Sequence, residues 1–151
     1  MRIGLGMAAL GRPGYINLQR DTHISSRTVD GMQRQANIVM DELFRQCCDL
    51  NINNQEGNDD EKYIPWLDCA RSYGLSEKFV GDYLRTNDIR PEDVYVSSKW
   101  GYTYVADWKV ELGEGEPHEI KDHSLEVSAG NVDDCFHYVD GVLVIGNHCI
   151  S

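Results

Sequence analysis

The sequence predicts an α/β fold built from parallel βαβ units. Three observations support this prediction: strand-like and helix-like segments alternate along residues 3–100, the strand-like segments are short apolar runs, and polar residues follow each run. Strands that alternate with helices are typical of parallel sheets, in which the residues after successive strands meet at one edge. With 151 residues, the chain has the size of one domain.

The composition excludes several kinds of partner. The formal net charge is -11, and no basic cluster offsets it, so nucleic acids and anionic membranes would be repelled. No run approaches the roughly 18 apolar residues of a membrane span, and the first residues do not resemble a signal peptide. Five cysteines, with Cys47 and Cys48 adjacent, do not form the pattern of a disulfide framework. We therefore expect a cytoplasmic protein with no membrane or nucleic-acid partner.

The chain opens with an apolar segment, residues 3–10, that predicts a buried strand leading into a loop rich in glycine and proline. Gly4 and Gly6 match the start of a dinucleotide-binding fingerprint. That motif must open a helix, which the following glycines and proline oppose. Glycines that let a loop approach a ligand closely are the simpler interpretation.

A long amphipathic helix comes next. Apolar residues recur at helical spacing over residues 29–47, and Thr28 or Asp30 is placed to cap the start. Residues 49–61 are rich in asparagine and acidic side chains, and they predict an inserted, solvated loop.

Two strands and a second helix follow. Residues 63–68 predict a strand that ends at Asp68, and residues 75–87 predict a helix with one apolar stripe. Residues 94–100, rich in valine, predict a further strand that carries Lys99 near its end.

Three polar residues are the strongest candidates for chemistry. Asp68, Tyr73 and Lys99 follow successive predicted strands, so we expect them at the same sheet edge. A lysine ammonium beside a phenol stabilises the phenolate, and a carboxylate orients the ammonium. At an effective dielectric near 20, one ammonium about 4 Å away contributes ~4 kcal/mol before screening. The trio suits general acid–base catalysis with Tyr73 as the proton donor.

Residues 3–17 and 66–125 resemble the aldo-keto reductases, and in particular the branch related to aldose and L-galactose dehydrogenases. The resemblance is carried by IGLGMAALGRPGYIN at the start and by WLDCARSYGLSE and SSKW around the three candidates. It implies a (β/α)8 TIM barrel that reduces carbonyls with NADPH, and it gives Asp68, Tyr73 and Lys99 three of the four catalytic positions.

The chain is short for the fold that the resemblance implies. A TIM barrel usually takes about 250 residues, so we expect a partial barrel, with the first three to four βα units and parallel strands, as a single domain over residues 1–151. The resemblance ends after Leu125, and residues 126–151 form a divergent tail. A retained intron or an altered reading frame would produce such a break, a hypothesis that transcript sequencing tests.

The tail contains one further catalytic candidate. Residues 142–148 predict a buried strand that ends in His148. The fourth catalytic residue of the aldo-keto reductases is a histidine after the fourth strand, so the resemblance makes His148 the candidate for that role.

Aromatic residues follow the third predicted strand. Residues 101–121 predict a long loop, and such loops hold substrate contacts in barrel enzymes. The candidates for the walls of a substrate pocket are Trp100, Tyr102, Tyr104 and Trp108. That they cover the open end of the barrel without touching substrate is an equally open alternative.

Two other patterns carry less weight. Tyr95 and Lys99 match the Tyr-x-x-x-Lys pair of short-chain dehydrogenases, but that pair acts on a helix, whereas a strand would separate the two by about 13 Å. The tail also contains two cysteines and two histidines: Cys135, His137, His148 and Cys149. Their spacing does not match zinc ligands, and we expect no metal.

Two functions remain open from the sequence. The first is an NADP-dependent oxidoreductase that moves hydride between nicotinamide and a small aldehyde, ketone or sugar hydroxyl, with Tyr73 as general acid and base. The second is a catalytically inactive, truncated fragment that acts as an interaction module. In the family, later strands build most of the cofactor pocket, and a half barrel exposes strand edges that favour homodimers or aggregation.

Overall fold

The fold was analysed in a computed structural model, which describes residues 4–14, 26–53, 62–99 and 101–121 in full and the backbone of residues 136–139 and 142–145. Besides a 3-10 turn at Pro91–Asp93, three α-helices and seven short strands are present in these residues. In chain order they are β1 (Leu5–Gly6), α1 (Ala8–Gly11), α2 (Val29–Asn53), β2 (Trp66–Asp68), α3 (Ser76–Thr86), β3 (Tyr95–Ser97), β4 (Tyr102–Tyr104), β5 (Glu119–Lys121), β6 (Phe136–Val139) and β7 (Val142–Ile145).

The central element is a three-stranded parallel sheet in the order β1-β2-β3. Leu5 of β1 pairs with Leu67 of β2, which in turn pairs with Val96 of β3. The segments between these strands carry α2 and α3, as parallel pairing requires a long crossover. The predicted α/β class with parallel strands is confirmed.

The core lies between one face of this sheet and the helices. Met7, Leu67 and Cys69 are completely buried there. The helices contribute Met32, Ala36 and Met40 from α2 and Phe79, Val80, Tyr83 and Leu84 from α3. Removal of these apolar side chains from water supplies the main stabilising free energy, and the apolar stripes predicted for both helices are confirmed.

Helix α2 begins as predicted and ends later. The Thr28 hydroxyl accepts a hydrogen bond from the Gly31 backbone N–H at 3.1 Å, which satisfies one of the free donors of the first turn. The helix continues to Asn53, so the predicted loop is wrong for residues 49–53. An ion pair of 2.5 Å between Arg45 and Asp49, one turn apart, supports the extra helical residues. Residues 54–61 lie outside the described residues.

The first strand is shorter than predicted. The carbonyl of the buried Met7 accepts hydrogen bonds from the N–H groups of Leu10 at 3.1 Å and Gly11 at 2.8 Å. This bonding turns the chain into the single helical turn of α1, so the predicted strand and loop over residues 3–10 are wrong from Ala8 onward.

Residues 101–121 form a hairpin where a loop was predicted. β4 and β5 are antiparallel, with Tyr102 opposite Lys121 and Tyr104 opposite Glu119. The Arg12 guanidinium lies 3.2 Å from the Glu119 carboxylate and attaches the hairpin to the loop that follows α1.

The tail strand pairs differently from the fourth strand of a barrel. β7 exists within the predicted segment, but it is antiparallel to β6, with Phe136 opposite Ile145 and Val139 opposite Val142. Only two residues connect β6 and β7, which is enough for a hairpin and too few for a parallel crossover. In the part of the chain that the structure describes, the parallel sheet therefore has three strands, and no helix there is long and apolar enough to cross a membrane.

Candidate active site

The ends of β2 and β3 bring two of the candidate residues together. Asp68 is the last residue of β2 and lies opposite Ser97 of β3. The pairing continues past the strands, because the Arg71 N–H donates to the Lys99 carbonyl at 3.1 Å. Lys99 therefore leaves the sheet at the same edge as Asp68, as the sequence predicted.

Asp68 and Lys99 form a direct ion pair. The Lys99 Nζ donates to Asp68 Oδ2 at 2.5 Å and to the Cys69 carbonyl at 3.3 Å. Partial burial of Lys99 acts to lower its pKa, but the hydrogen bond and attraction of Asp68, with a further contribution from Tyr73, raise the pKa above its ordinary value. Lys99 is therefore an ammonium at neutral pH.

Tyr73 lies in the loop between β2 and α3, which is fixed by a close backbone contact. The Leu75 N–H donates to the Gly11 carbonyl at 2.7 Å. Gly74 has a φ of 63°, and a Cβ there would lie 2.4 Å from the Gly11 carbonyl oxygen, so only glycine fits. This loop places the ring centroid of Tyr73 at 5.1 Å from Nζ of Lys99, within the range of a cation–π contact.

Two contacting residues were not predicted from the sequence. The Trp66 indole N–H donates to the Ser97 hydroxyl at 2.9 Å, and that hydroxyl donates to Asp68 Oδ1 at 2.7 Å. In a strand, residues two apart share a face. This alternation, combined with the pairing of β2 and β3, is the signal that could have placed Ser97 beside Asp68.

A second polar cluster lies on the α3 side of the same edge. Glu77 accepts a hydrogen bond from the Ser98 hydroxyl at 2.5 Å and lies 3.7 Å from the Arg71 guanidinium. Lys78 pairs with Asp82 on the exposed side of α3. The hydroxyls of Ser98 and its neighbour Ser97 thus donate to different carboxylates, those of Glu77 and Asp68.

The predicted pocket walls are distributed along the hairpin segment. Tyr102 is exposed, with the Lys121 ammonium 6.0 Å from its ring centroid. The Trp108 ring packs edge-on against Phe79 of α3 at 6.0 Å, and its indole N–H donates to the Arg27 carbonyl at 2.8 Å. Trp108 is therefore engaged in packing against the helices.

The ring of Tyr104 lies near the Arg12 guanidinium. The Arg12 guanidinium lies 5.9 Å from its ring centroid while also pairing with Glu119. Burial raises the pKa of Tyr104, against the opposing effects of the Trp108 backbone N–H and of Arg12. These contacts attach the hairpin to the first loop.

Several predicted residues lie outside the fully described part of the chain. They are Trp100, Cys135, His137, His148 and Cys149. The suggested role of His148 therefore stays a prediction. Within the fully described ranges, no group of three or more His, Cys, Asp and Glu side chains could hold a metal ion.

Most basic side chains in the described ranges, which could otherwise bind a cofactor phosphate, already have acidic partners. Nine of them form ion pairs: Arg12, Arg45, Lys62, Arg71, Lys78, Arg85, Arg90, Lys99 and Lys109. Phosphate binding by any of these would compete with an existing pair. We assign no phosphate site to the residues that the structure describes.

No family model, curated protein or solved structure matches the chain. The resemblance to the aldo-keto reductases stays a prediction from the sequence.

Proposed function

We propose that the chain carries the proton-transfer groups of an NADP-dependent aldo-keto reductase, with Tyr73 as general acid and base. The observation that supports this proposal is the convergence of three residues at one sheet edge. Lys99 lies 2.5 Å from Asp68 and 5.1 Å from the Tyr73 ring centroid. The same three residues carry the resemblance to that family.

The arrangement of layers supports a partial barrel as the proposed fold. In a (β/α)8 barrel the helices cover the outer face of the strands, and catalytic residues follow the strand ends. Here the helices pack on one face of the sheet through Leu67. The opposite face carries Trp66 and Tyr95, which are 38% and 44% exposed, and would be the interior of the barrel.

The proposed reaction uses each group for one task. The Tyr73 hydroxyl donates its proton to the carbonyl oxygen of the substrate as that oxygen gains negative charge. Bound NADPH supplies the hydride. The Lys99 ammonium stabilises the resulting phenolate, and Asp68 holds the ammonium in place. In the reverse direction the phenolate accepts the proton of an alcohol or sugar hydroxyl.

Substitution of the proton donor and its neighbour tests the proposal. Turnover is measured as oxidation of NADPH with a panel of small aldehydes, ketones and sugars. Tyr73→Phe removes the only transferable proton of the side chain, and Lys99→Met removes the positive charge. Since general acid catalysis contributes typically 10²–10⁴-fold, we expect losses of roughly that size.

A tyrosine on the same sheet provides the control. Tyr95→Phe should leave turnover unchanged, because Tyr95 lies at the start of β3, away from the edge that carries Lys99. This control also tests the short-chain dehydrogenase pattern, which would need Tyr95. Retained turnover in Tyr73→Phe, or loss in Tyr95→Phe, would contradict the proposal.

The cofactor is tested by binding. The proposal predicts saturable quenching or enhancement of NADPH fluorescence on titration with the full chain. The described residues supply the proposed proton-transfer groups, and the binding titration asks whether the chain also provides a phosphate site. A folded sample that binds no NADPH would exclude hydride transfer by the isolated chain.

One observation favours an interaction module as the second candidate. Parallel sheets are normally covered on both faces. In the described residues, helices cover one face, and the face with Trp66 and Tyr95 is open. Sedimentation analysis tests this function: a concentration-dependent dimer without NADPH binding would support it over the oxidoreductase.

A further inference from the structure

We infer that Ser97 is a positioning residue that, held by the Trp66 indole, fixes the Asp68 carboxylate so that its second oxygen faces Lys99. This inference extends the proposed function and rests on it for its catalytic meaning. The geometry itself can be tested without turnover.

β2 and β3 present side chains on a shared face of the sheet. Asp68 lies opposite Ser97, and Trp66 lies opposite Tyr95. Because alternate residues share a face, Trp66, Asp68 and Ser97 all project from the side of the sheet that the helices do not cover. The Ser97 hydroxyl is then close enough to contact both neighbours, at 2.9 Å from the indole nitrogen and 2.7 Å from the carboxylate.

The chemistry of the groups fixes the direction of these hydrogen bonds. An indole N–H only donates, and a carboxylate only accepts. The Ser97 oxygen must therefore accept from Trp66, and its single proton must go to Asp68 Oδ1. Lys99 donates to the other oxygen, Oδ2, at 2.5 Å. Both oxygens of Asp68 are thus held by donors on β3 or just after it.

One contact restricts the indole that donates to Ser97. Its ring lies against the backbone of Gly4, where an added Cβ would approach ring atom Cδ2 to 3.0 Å. The absence of a side chain at Gly4 therefore leaves room for the ring. The contact limits movement of the ring on that side while its N–H donates to Ser97 at 2.9 Å.

The hydrogen bond from Ser97 to Asp68 is important because the Asp68–Lys99 ion pair is only partly buried. The side chain of Lys99 is 52% exposed, against 30% for Asp68. An exposed ion pair contributes little to the free energy of folding when both side chains are free to move, because ordering them costs conformational entropy. A carboxylate already fixed by Ser97 leaves only the lysine to be ordered. The titratable groups of the described residues that interact with Lys99 are Asp68, Tyr73 and the Cys69 thiol, and burial keeps that thiol protonated by raising its pKa.

The direct test is the pKa of Lys99, followed through its side-chain carbon resonances in a pH titration. The chain has five lysines, so Lys99→Met identifies the resonance. In Ser97→Ala the Asp68 carboxylate is free to rotate away, and we expect the pKa of Lys99 to fall by roughly 0.5. Ser97→Thr keeps the hydroxyl and suits a strand, so it should retain the wild-type value.

The neighbouring serine provides a matched control. Ser98→Ala removes a hydroxyl of the same size, but that hydroxyl bonds Glu77 at 2.5 Å. The pKa of Lys99 should therefore stay unchanged. If Ser97→Ala does not fold, Trp66→Phe answers the same question, because it removes the donor that orients Ser97 and should lower the pKa of Lys99 by a smaller amount.

The outcomes separate this inference from the proposed function. An unchanged pKa of Lys99 in a folded Ser97→Ala or, failing that, in Trp66→Phe overturns the inference, and so does an equal fall in Ser98→Ala or Ser97→Thr. Where the wild-type chain oxidises NADPH, Ser97→Ala should lower kcat about tenfold, with rescue by Ser97→Thr. If the wild-type chain shows no turnover, the proposed function fails while the titration still decides the role of Ser97.

Discussion

The two faces of the three-stranded sheet differ in composition and in use. Leu67 of β2 is completely buried against the helices, whereas its neighbours Trp66 and Asp68 project from the other face. The core face is apolar, and the open face holds a connected set of hydrogen-bonding side chains. Because a strand alternates its side chains with a period of two, three consecutive residues contribute to the buried core and to the hydrogen-bonded set on the open face. Substitutions on one strand should therefore change these two properties separately.

The largest expected effect on stability is on the core face. Leu67→Ala should lower the free energy of unfolding by about 3 kcal/mol, because it creates a cavity in a packed site. Asp68→Asn, one residue along the same strand, should lower it by less than about 1 kcal/mol, since its ion pair is partly exposed. Urea denaturation of both variants measures the difference. Equal losses would contradict the assignment of the two faces.

A smaller loss is expected where the loop that carries Tyr73 contacts the first loop. Gly74→Ala should cost roughly 1–3 kcal/mol, because it combines a positive φ with a Cβ 2.4 Å from the Gly11 carbonyl oxygen. Gly113→Ala is the control, since its Cβ would make an ordinary contact of 3.5 Å with Glu116. Urea denaturation compares the two, and a loss at Gly113 as large as that at Gly74 would contradict this explanation.

The contribution of the Asp68–Lys99 ion pair on the open face to the free energy of unfolding should depend on pH in the alkaline range. The folded pKa of Lys99 lies above its ordinary value of 10.5. A raised lysine pKa stabilises the fold fully below the unfolded pKa, and this stabilisation is lost as the pH rises through the folded pKa. The difference in unfolding free energy between wild type and Asp68→Asn should therefore be constant from neutral pH up to the unfolded pKa of lysine and shrink as the pH rises from there through the folded pKa of Lys99. A difference that grows in that range would be contrary to the Asp68–Lys99 pairing.

The smallest expected effect on the fold comes from chemical modification of the cysteines, which compares the buried Cys69 with the exposed Cys48. Cys69 continues the buried face after Asp68, and burial raises the pKa of its thiol well above the usual range. Cys48 on α2 is exposed. Iodoacetamide should modify Cys48 in the native protein and reach Cys69 only after unfolding, as peptide mapping by mass spectrometry would detect. Equal rates in the native state would place Cys69 outside the core.

Local patterns in the sequence predicted most of the helical layer. The stripes of α2 and α3 depend on spacing within one segment, and both were confirmed. The β4–β5 hairpin and the antiparallel pairing of β7 were missed because strand pairing depends on residues far apart in the chain. The single turn of α1 was missed because it depends on the buried carbonyl of Met7.

The sequence could predict the position of those candidate-site residues that directly follow the ends of parallel strands. Asp68 and Lys99 follow adjacent parallel strands, and their contact follows from that order. Ser97 was missed because its contact with Asp68 requires the register of β2 against β3. The packing of Trp108 against Phe79 was missed for a similar reason, since a composition rich in aromatics does not say which face a ring covers.

The hydrogen bond from Leu75 to the Gly11 carbonyl makes the position of Tyr73 dependent on a segment near the start of the chain. During synthesis that segment leaves the ribosome long before the loop that needs it. Tyr73 can reach its place only after a long loop has closed, which is a slow step in folding. If the proposed oxidation of NADPH occurs, its recovery on refolding should therefore lag behind recovery of helical structure. N-terminal fusions should affect it more than their distance in sequence from Tyr73 suggests.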